Sequence, residues 1–285
     1  MLIVSGLSIM TRDPLRFMPD FCTGDSYETP PERQRCLLDR LLRPGNLYFY
    51  YRIFRPARWF QTVCNHYGMT YDAMRLSAAQ ILFGIEECGG HVQIEGLEQL
   101  DRANDKGAVI IANHMSSVET LVLAAIMQRR GKMTFVVKKE LFDYPVFGTL
   151  IRNMRCIPMT RTDPKTDLKT LMGLGPKLIN EGVSIVVFPQ STRAESFDPA
   201  DFNSIGTKLA KRAGAVIIPL ALETSIWGRG RSLSDYGPVR RERPLHFAFG
   251  EMIPAATDHR EAHRRCLAFI TDKVAGWQAQ NAGKA

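Results

Sequence analysis

One histidine and one glutamate, five residues apart, are the best candidates for chemistry in this chain of 285 residues. His114 and Glu119 lie in the stretch GAVIIANHMSSVET. The apolar run at 107–112 predicts a buried strand, and the following residues predict a helix capped by Ser116 or Ser117. The histidine then lies in the turn and the glutamate in the first helical turn. A carboxylate so placed can hold one imidazole nitrogen and leave the other for a substrate, as a general base requires.

The chain contains a second pair with the same spacing, His246 and Glu251. It lies in PLHFAFGE, whose alternation predicts a strand, and there the histidine is more simply a half-buried strand side chain. Only the succession of strand and helix distinguishes the first pair from the second. Two interpretations of His114 therefore stay open at this point: a catalytic dyad with Glu119, or a structural histidine.

Strand-like and helix-like segments alternate along the rest of the chain. The predicted strands are residues 91–95, 108–112, 133–137, 183–188, 216–220 and 245–249. The predicted helices are residues 118–129, about 167–180 with an interruption at Gly175-Pro176, and 204–213. This alternation predicts an α/β fold with a largely parallel central sheet flanked by helices. Because sites gather at the carboxyl ends of such strands, we expect His114 and the PQSTR turn at 189–193 to converge.

The charge of the chain favours anionic partners. Its net charge is +8 and its isoelectric point is near 9.3, a balance that suits nucleic acid, anionic lipid or phosphorylated substrates. The sequence has no nucleic-acid-binding module, no zinc-finger spacing and no basic block with interleaved aromatic residues. Lipid and phosphate are therefore the expected partners, and no nucleic acid is expected.

Cysteine and histidine usage favours neither a metal site nor a disulfide framework. The six cysteines are scattered without a C-x-x-C pair, and the histidines are isolated from one another and from the cysteines. A reducing cytosol is the default compartment for such a chain. The apolar N-terminus MLIVSGLSIM lacks a basic leader and a cleavage site, so no signal peptide is expected. No stretch approaches the ~20 apolar residues that span a bilayer.

The N-terminal third divides into two parts ahead of the α/β domain, which is placed at 89–285. Residues 1–45 are polar and contain prolines, so a polar arm is expected there. Residues 46–88 interleave aromatic residues with arginines and continue with helical apolar spacing, which suits a helical segment docked on a membrane surface. The alternative for residues 46–88 is a pair of helices packed on the core, with the arginines as ordinary surface charge.

Four sequence blocks in a fixed order resemble the glycerophospholipid acyltransferase family, whose best-known members are the lysophosphatidic acid acyltransferases. The first is the His114 block, with the family's Asn-His-x4-Asp/Glu pattern. The others are KKELFDYPVFGTLIRNMRCIPMTR at 138–161, VSIVVFPQSTRAE at 183–195 and AVIIPLAL at 215–222. The resemblance spans residues 89–250, and the order of the four blocks is more specific than any single block.

The resemblance implies transfer of a fatty acyl group from a thioester to a hydroxyl of a phosphate-bearing glycerolipid. His114 would accept the proton of that hydroxyl, and Glu119 would fix the tautomer and stabilise the imidazolium. The nucleophile is then the substrate, and neither serine after His114 lies in a Gly-x-Ser-x-Gly elbow, which disfavours a serine esterase. Neither a cofactor nor a metal is implied, and the acyl donor is acyl-CoA or acyl carrier protein.

The phosphate of the acceptor requires cationic donors, for which Arg193 is the first choice, Arg161 the second and Lys139 the third. The alternative for each cation is an ordinary surface residue. Three polar residues, Gln190, Ser191 and Thr192, would line the pocket for the glycerol or headgroup.

Two departures from the family pattern affect the acceptor. Gln190-Ser191 replaces the usual Glu-Gly, and Arg155 replaces a usual Gly. Gln keeps the size and the accepting oxygen of Glu but loses its charge and gains a donor.

Taken together, these patterns predict a peripheral or monotopic enzyme on the cytoplasmic face of a membrane. Its expected acceptor is the lysophospholipid 1-acylglycerol 3-phosphate, and its product phosphatidic acid. The alternatives are another acceptor (glycerol 3-phosphate, another lysophospholipid or a lyso-aminolipid) and a non-catalytic lipid-binding protein of the same fold.

Overall fold

The computed structural model of the protein describes residues 21–42, 46–101, 106–144, 147–190, 192–230 and 237–282. In this part of the chain, eight strands form one sheet. They are β1 (Ser26–Glu28), β2 (Val92–Glu95), β3 (Val109–Ala112), β4 (Met133–Lys138), β5 (Ile157–Met159), β6 (Ser184–Val187), β7 (Ile217–Glu223) and β8 (Leu245–Phe249). The helices are α1 (Leu37–Leu41), α2 (Leu47–Tyr67), α3 (Tyr71–Glu87), α4 (Glu98–Asp101), α5 (Val118–Ile126), α6 (Phe147–Asn153), α7 (Pro164–Asn180), α8 (Ile205–Ala213) and α9 (His259–Ala282).

The sheet is mixed and has the order β1-β2-β8-β7-β3-β6-β4-β5. The pairs β1/β2 and β7/β8 are antiparallel, and the other pairs are parallel. In the centre, Val109 of β3 lies opposite Ile217 of β7 and Ile185 of β6. The carboxyl ends of these three parallel strands therefore meet at the same end of the sheet. The prediction of an α/β fold with flanking helices is confirmed, although the sheet is mixed rather than uniformly parallel.

Helices cover both faces of the sheet. α2, α3 and α5 pack on one face, and α7, α8 and α9 pack on the other. β3 contributes Ile110 to the first core and Val109 and Ile111 to the second, as the two-residue period of a strand requires. A strand buried on both faces must be apolar throughout, which is why its sequence run is continuous.

The six predicted strands and the three predicted helices are all present, with small shifts at their ends. The interruption expected at Gly175-Pro176 is wrong, because α7 continues through both residues. A Cβ on Gly175 would lie 2.5 Å from Cδ1 of Leu209 in α8. The glycine therefore permits a close contact between two helices, and this packing compensates for its low helix propensity.

The expected polar arm at 1–45 is wrong for residues 21–42. β1 pairs with β2 and extends the sheet, and the hydroxyl of Tyr27 in β1 donates to the buried Glu86 at 2.7 Å. The polar residues of β1 face outward on a short edge strand, so the sequence gives no apolar signal for it. The remainder of the expected arm lies outside the described residues.

Helices α2 and α3 occupy the predicted helical segment 46–88. α2 buries Phe49 and Phe60 in the same core cluster as the sheet, and it exposes Arg55 and Arg58. The packing agrees with the alternative in which a helix pair lies on the core, and docking on a membrane stays a prediction. Within the described residues, no helix combines the length and the apolar character needed to cross a bilayer.

Candidate active site

His114 lies two residues after β3, in the turn that leads to α5. Its ring stacks on Phe188, which follows β6, with ring centroids 4.2 Å apart and planes inclined by 16°. About 15% of its side chain is exposed, so the ring is held by packing and still reaches solvent. Nδ1 lies 2.9 Å from Oε1 of Glu119. The dyad expected from the sequence is formed, and Nε2 is the nitrogen left for a substrate.

Glu119 is completely buried and is surrounded by hydrogen-bond donors. Oε1 accepts from His114 and from the N–H groups of Met115 at 2.7 Å and Ser116 at 3.0 Å. Oε2 accepts from the hydroxyls of Ser116 at 2.9 Å and Thr224 at 2.6 Å. Burial raises the pKa of Glu119, but the hydrogen bonds and the charge of His114 outweigh burial and hold the pKa below its ordinary value. The group is therefore a carboxylate, and its hydrogen bond to His114 keeps a proton on Nδ1.

The turn that contains His114 is fixed by contacts to both neighbouring strands. Nδ2 of the buried Asn113 donates to the carbonyl of Leu222 in β7 at 2.9 Å, and Oδ1 accepts from the N–H of Leu222 at 2.8 Å. The side chain thus makes the pair of hydrogen bonds that a neighbouring strand would make. On the other side, Oε1 of Gln190 accepts from the N–H of His114 at 2.8 Å. The N–H of Ala194 donates to the carbonyl of His114 at 3.0 Å. β7 and the loop after β6 therefore set the position of the histidine.

A cleft of about 300 Å³ opens beside the dyad. Its lining is formed by Met115, Ser116, Ser117, Arg193, Glu195, Trp227, Gly228 and Arg229. The guanidinium of Arg193 donates through Nη1 to the hydroxyl of Ser117, at the N-terminal end of α5. Glu195 is paired with Arg240 at 3.0 Å. A cationic fork at a helix N-terminus, in a cleft next to the dyad, suits a phosphate-bearing substrate.

The other residues predicted from the sequence are less closely grouped. Thr192 is exposed, and Ser191 lies outside the described residues. Lys139 directly follows β4, and Arg161 lies two residues after β5. In the sheet order both strands are separated from β3 by β6, and both side chains are exposed. Among the described residues, neither of these two cations lines the cleft. Their roles toward a substrate stay predictions.

Two arginines near β5 have a left-handed backbone. The φ angles are 55° at Arg155 and 64° at Arg161, in the region that glycine adopts most readily. Arg155 stands at the position where the family pattern usually has glycine. Arg155 forms an exposed ion pair with Glu181 at 2.7 Å, and the N–H of Arg161 donates to Asp167 at 2.6 Å.

Thr224 is the main site residue that the sequence analysis missed. The predicted strand ended at residue 220, whereas β7 continues to Glu223. Thr224 therefore directly follows β7, beside the end of β3, and its hydroxyl reaches Glu119. The apolar run IIPLAL followed by polar residues was the available signal, because polar residues at the end of a central parallel strand face the site.

The second histidine pair does not form a dyad. His246 is buried in β8 and stacks on Trp277 of α9, with ring centroids 4.9 Å apart, while Glu251 pairs with Arg265 at 3.3 Å. The interpretation of His246 as a strand side chain is the correct one. In the described ranges, no three His, Cys, Asp or Glu side chains come together as metal ligands would.

Comparison with known proteins agrees with this geometry. Residues 91–223 match the sequence model of the Acyltransferase family. A 1-acyl-sn-glycerol-3-phosphate acyltransferase of Pseudomonas aeruginosa is 31% identical over 133 residues, which are 47% of this chain and 49% of that protein. The chloroplastic enzyme LPAT1 of Arabidopsis thaliana, of the same name, is 29% identical over 57% of this chain and 46% of its own length. The chain thus spans about half the length of these relatives.

A solved structure has the same fold. It is the crystal structure of the 1-acyl-sn-glycerophosphate (LPA) acyltransferase PlsC from Thermotoga maritima, with a TM-score of 0.61 and 18% identity. The superposition covers 84% of this chain and 98% of that one. At this identity the likeness concerns the fold alone. Residues 91–223, a little under half of the chain, match the Acyltransferase family model and include the His114–Glu119 dyad and Arg193.

Proposed function

We propose that the protein transfers a fatty acyl group from an acyl thioester to the hydroxyl of a lysophospholipid, with 1-acylglycerol 3-phosphate as the preferred acceptor. The observation that supports this most strongly is the 2.9 Å contact between Nδ1 of His114 and the buried Glu119, beside a cleft that contains Arg193. The dyad can accept the proton of the acceptor hydroxyl, and Arg193 can bind the phosphate of the same acceptor.

The chemistry follows from the protonation states. With its proton on Nδ1, neutral His114 takes the proton of the acceptor hydroxyl at Nε2 while the oxygen attacks the thioester carbonyl. The tetrahedral intermediate collapses with cleavage of the C–S bond, and the imidazolium returns the proton to the departing sulfur. The products are an ester and a free thiol. Glu119 remains ionised and stabilises the imidazolium between the two proton transfers.

The acceptor's phosphate is bound by Arg193 in this proposal, because a guanidinium fork matches phosphate oxygens. Arg161 and Lys139 are the further candidates for the phosphate. Gln190, Ser191 and Thr192 would line the pocket for the glycerol or headgroup. Gln190 also accepts from the N–H of His114, so its role includes holding the base in place.

The reaction requires no cofactor beyond the donor, acyl-CoA or acyl carrier protein, because a thioester is activated enough to acylate an alcohol. The lipid acceptor and the basic, aromatic segment 46–88 support a peripheral or monotopic position on the cytoplasmic face of a membrane.

The test is thiol release from palmitoyl-CoA and oleoyl-CoA with a panel of acceptors in detergent. The panel contains lysophosphatidic acid, glycerol 3-phosphate, other lysophospholipids and a lyso-aminolipid. We expect release that depends on the acceptor, is greatest with lysophosphatidic acid and falls about 10²–10⁴-fold in His114→Ala. His91→Ala, which changes an exposed histidine outside the cleft, is the matched control and should behave as the wild type.

The other outcomes distinguish the alternatives. Preference for a different acceptor would fit the departure at Gln190-Ser191, and release without any acceptor would indicate a thioesterase. If folded protein is silent with acyl-CoA and also with acyl carrier protein as donor, the lipid-binding alternative replaces the enzyme.

A further inference from the structure

A short antiparallel ladder forms one wall of the cleft beside the dyad. It joins the segment that follows β7 to a segment further along the chain. The N–H of Arg240 donates to the carbonyl of Ile226 at 2.7 Å, and the N–H of Gly228 donates to the carbonyl of Pro238 at 2.9 Å. Arg229 directly follows the first segment of this ladder and lines the cleft. The ladder therefore brings a second guanidinium to the site.

The two segments of the ladder lie unusually close together, and a glycine permits this. A Cβ on Gly237 would lie 1.8 Å from the carbonyl oxygen of Gly228, far inside van der Waals contact. Any other residue at position 237 would push the segments apart. The hydroxyl of Tyr50 in α2 also donates to the carbonyl of Gly237 at 2.6 Å. The wall that carries Arg229 is thus held both by its own pairing and by a neighbouring helix.

The ladder also contacts the loop that carries Arg193. Glu195 lies in that loop and pairs with Arg240 of the ladder at 3.0 Å. Arg193 follows β6 and Arg229 follows β7, so the two guanidiniums reach the same cleft from different loops. Because the cleft measures only about 300 Å³, both can contact one bound phosphate.

The lining of the cleft is positively charged. Glu195 is neutralised by its pairing with Arg240, so Arg193 and Arg229 leave an excess of two positive charges among the described residues of the lining. Arg229 lies beyond residues 91–223, so the match with the family model gives it no role. An uncompensated pair of guanidiniums in one cleft favours a ligand with more than one negative charge.

We propose that Arg229 is a second phosphate ligand, and that together with Arg193 it selects acceptors with a phosphate monoester over acceptors with a phosphodiester. This inference rests on the proposed function and deepens it, because it names the residue and the charge that distinguish one lysophospholipid from another. A monoester carries about 1.5 to 2 negative charges near neutral pH and offers three terminal oxygens to two guanidinium forks. A phosphodiester carries a single negative charge and offers fewer terminal oxygens, so one cation stays without a partner.

The test compares kcat/KM for lysophosphatidic acid, a monoester, with kcat/KM for lysophosphatidylglycerol, a diester. Both are dispersed in detergent, with palmitoyl-CoA as the donor. Arg229→Gln should lower the value for the monoester about tenfold and leave the value for the diester nearly unchanged, since an exposed guanidinium contributes at the lower end of the range for hydrogen bonds to charged groups. The matched control is Arg264→Gln, which removes an exposed arginine of α9 and should keep both values.

Binding without a donor separates this inference from the proposed function. Titration calorimetry of each protein with the same two lipids should show a loss of affinity in Arg229→Gln for the monoester alone. An unchanged preference in Arg229→Gln would overturn the inference, and so would equal losses for both lipids or a rise in the KM for palmitoyl-CoA instead of the acceptor. A protein that binds the monoester through Arg229 but releases no thiol would contradict only the proposed function.

Discussion

Replacing Glu119 by Gln separates the charge of the dyad from its geometry. Oε1 of the glutamate faces the Nδ1–H of His114 and two backbone N–H groups, and Oε2 faces the hydroxyls of Ser116 and Thr224. A glutamine can keep its oxygen toward the N–H groups and donate from its amide to the hydroxyls, which rotate to accept. The tautomer and the ring position of His114 should therefore survive the change.

The lost charge sets the size of the effect. The imidazolium that forms during the reaction lies beside the carboxylate, with 2.9 Å between Nδ1 and Oε1. Two unit charges about 4 Å apart attract by about 4 kcal/mol at an effective dielectric constant of ~20. Each ~1.4 kcal/mol changes a rate tenfold, so kcat should fall by about three orders of magnitude. The KM for the acceptor should change little, because the carboxylate acts on the positive charge that forms at His114 only after the proton has moved.

The assay is the steady-state rate of thiol release with acceptor and donor varied independently, together with the melting temperature of each variant. A folded Glu119→Gln protein with a kcat within about tenfold of the wild type would refute the reasoning, since the proposed base would then work without its carboxylate. A large rise in KM with unchanged kcat would also refute it, because the glutamate would then act in binding.

Three further changes test the surroundings of the dyad. Thr224→Val removes one donor from the buried carboxylate of Glu119, so the free energy of unfolding should fall by about 1–3 kcal/mol and kcat should fall about tenfold. Thr134→Val, a buried control in β4, should lower stability without changing kcat. Arg193→Ala should raise the KM for the acceptor about 10–100-fold, because a hydrogen bond to a charged group contributes about 1.5–3 kcal/mol, and leave the KM for the donor unchanged. The pKa of Glu119 is lower in the folded protein than in the unfolded chain, where it is ~4.3. The ionised glutamate therefore stabilises the fold fully above pH ~4.3, and this stabilisation is lost as the pH falls through the folded pKa. Acid melting curves should therefore show a steeper loss of stability in the wild type than in Glu119→Gln.

The central part of the fold and the dyad could be predicted because both depend on local patterns. β3 is buried on both faces and so is a continuous apolar run, and Ser117, the N-cap of α5, follows five residues after its end. His114 had to lie at the carboxyl end of a central strand, and Gln190 followed another strand of the same kind. Two strands that are neighbours in a parallel sheet bring such residues together whatever the details of the loops.

The parts that were missed depend on distant contacts. β1 is a three-residue polar strand that exists because β2 pairs with it. Thr224 depends on where β7 ends, and strand ends depend on the partner strands. α9 is a different case, since its buried residues recur at helical spacing along a charged segment, from Ala262 to Trp277. The spacing of these residues indicates the helix, although it is not among the helices predicted from the sequence.

The glutamine at position 190 illustrates how a departure from a family pattern can leave a mechanism intact. In this structure the side chain has a buried oxygen that accepts from the N–H of His114, a contact that Glu and Gln make equally well. A glutamate would add a second carboxylate beside the dyad, which would stabilise a positive charge on His114 and repel a phosphate held by Arg193. Gln190→Glu should therefore shift the pH profile of kcat/KM toward higher pH while keeping the fold, and it should weaken binding of acceptors in proportion to their negative charge. An unchanged profile with an unchanged order of acceptors would mean that only the oxygen of this side chain matters.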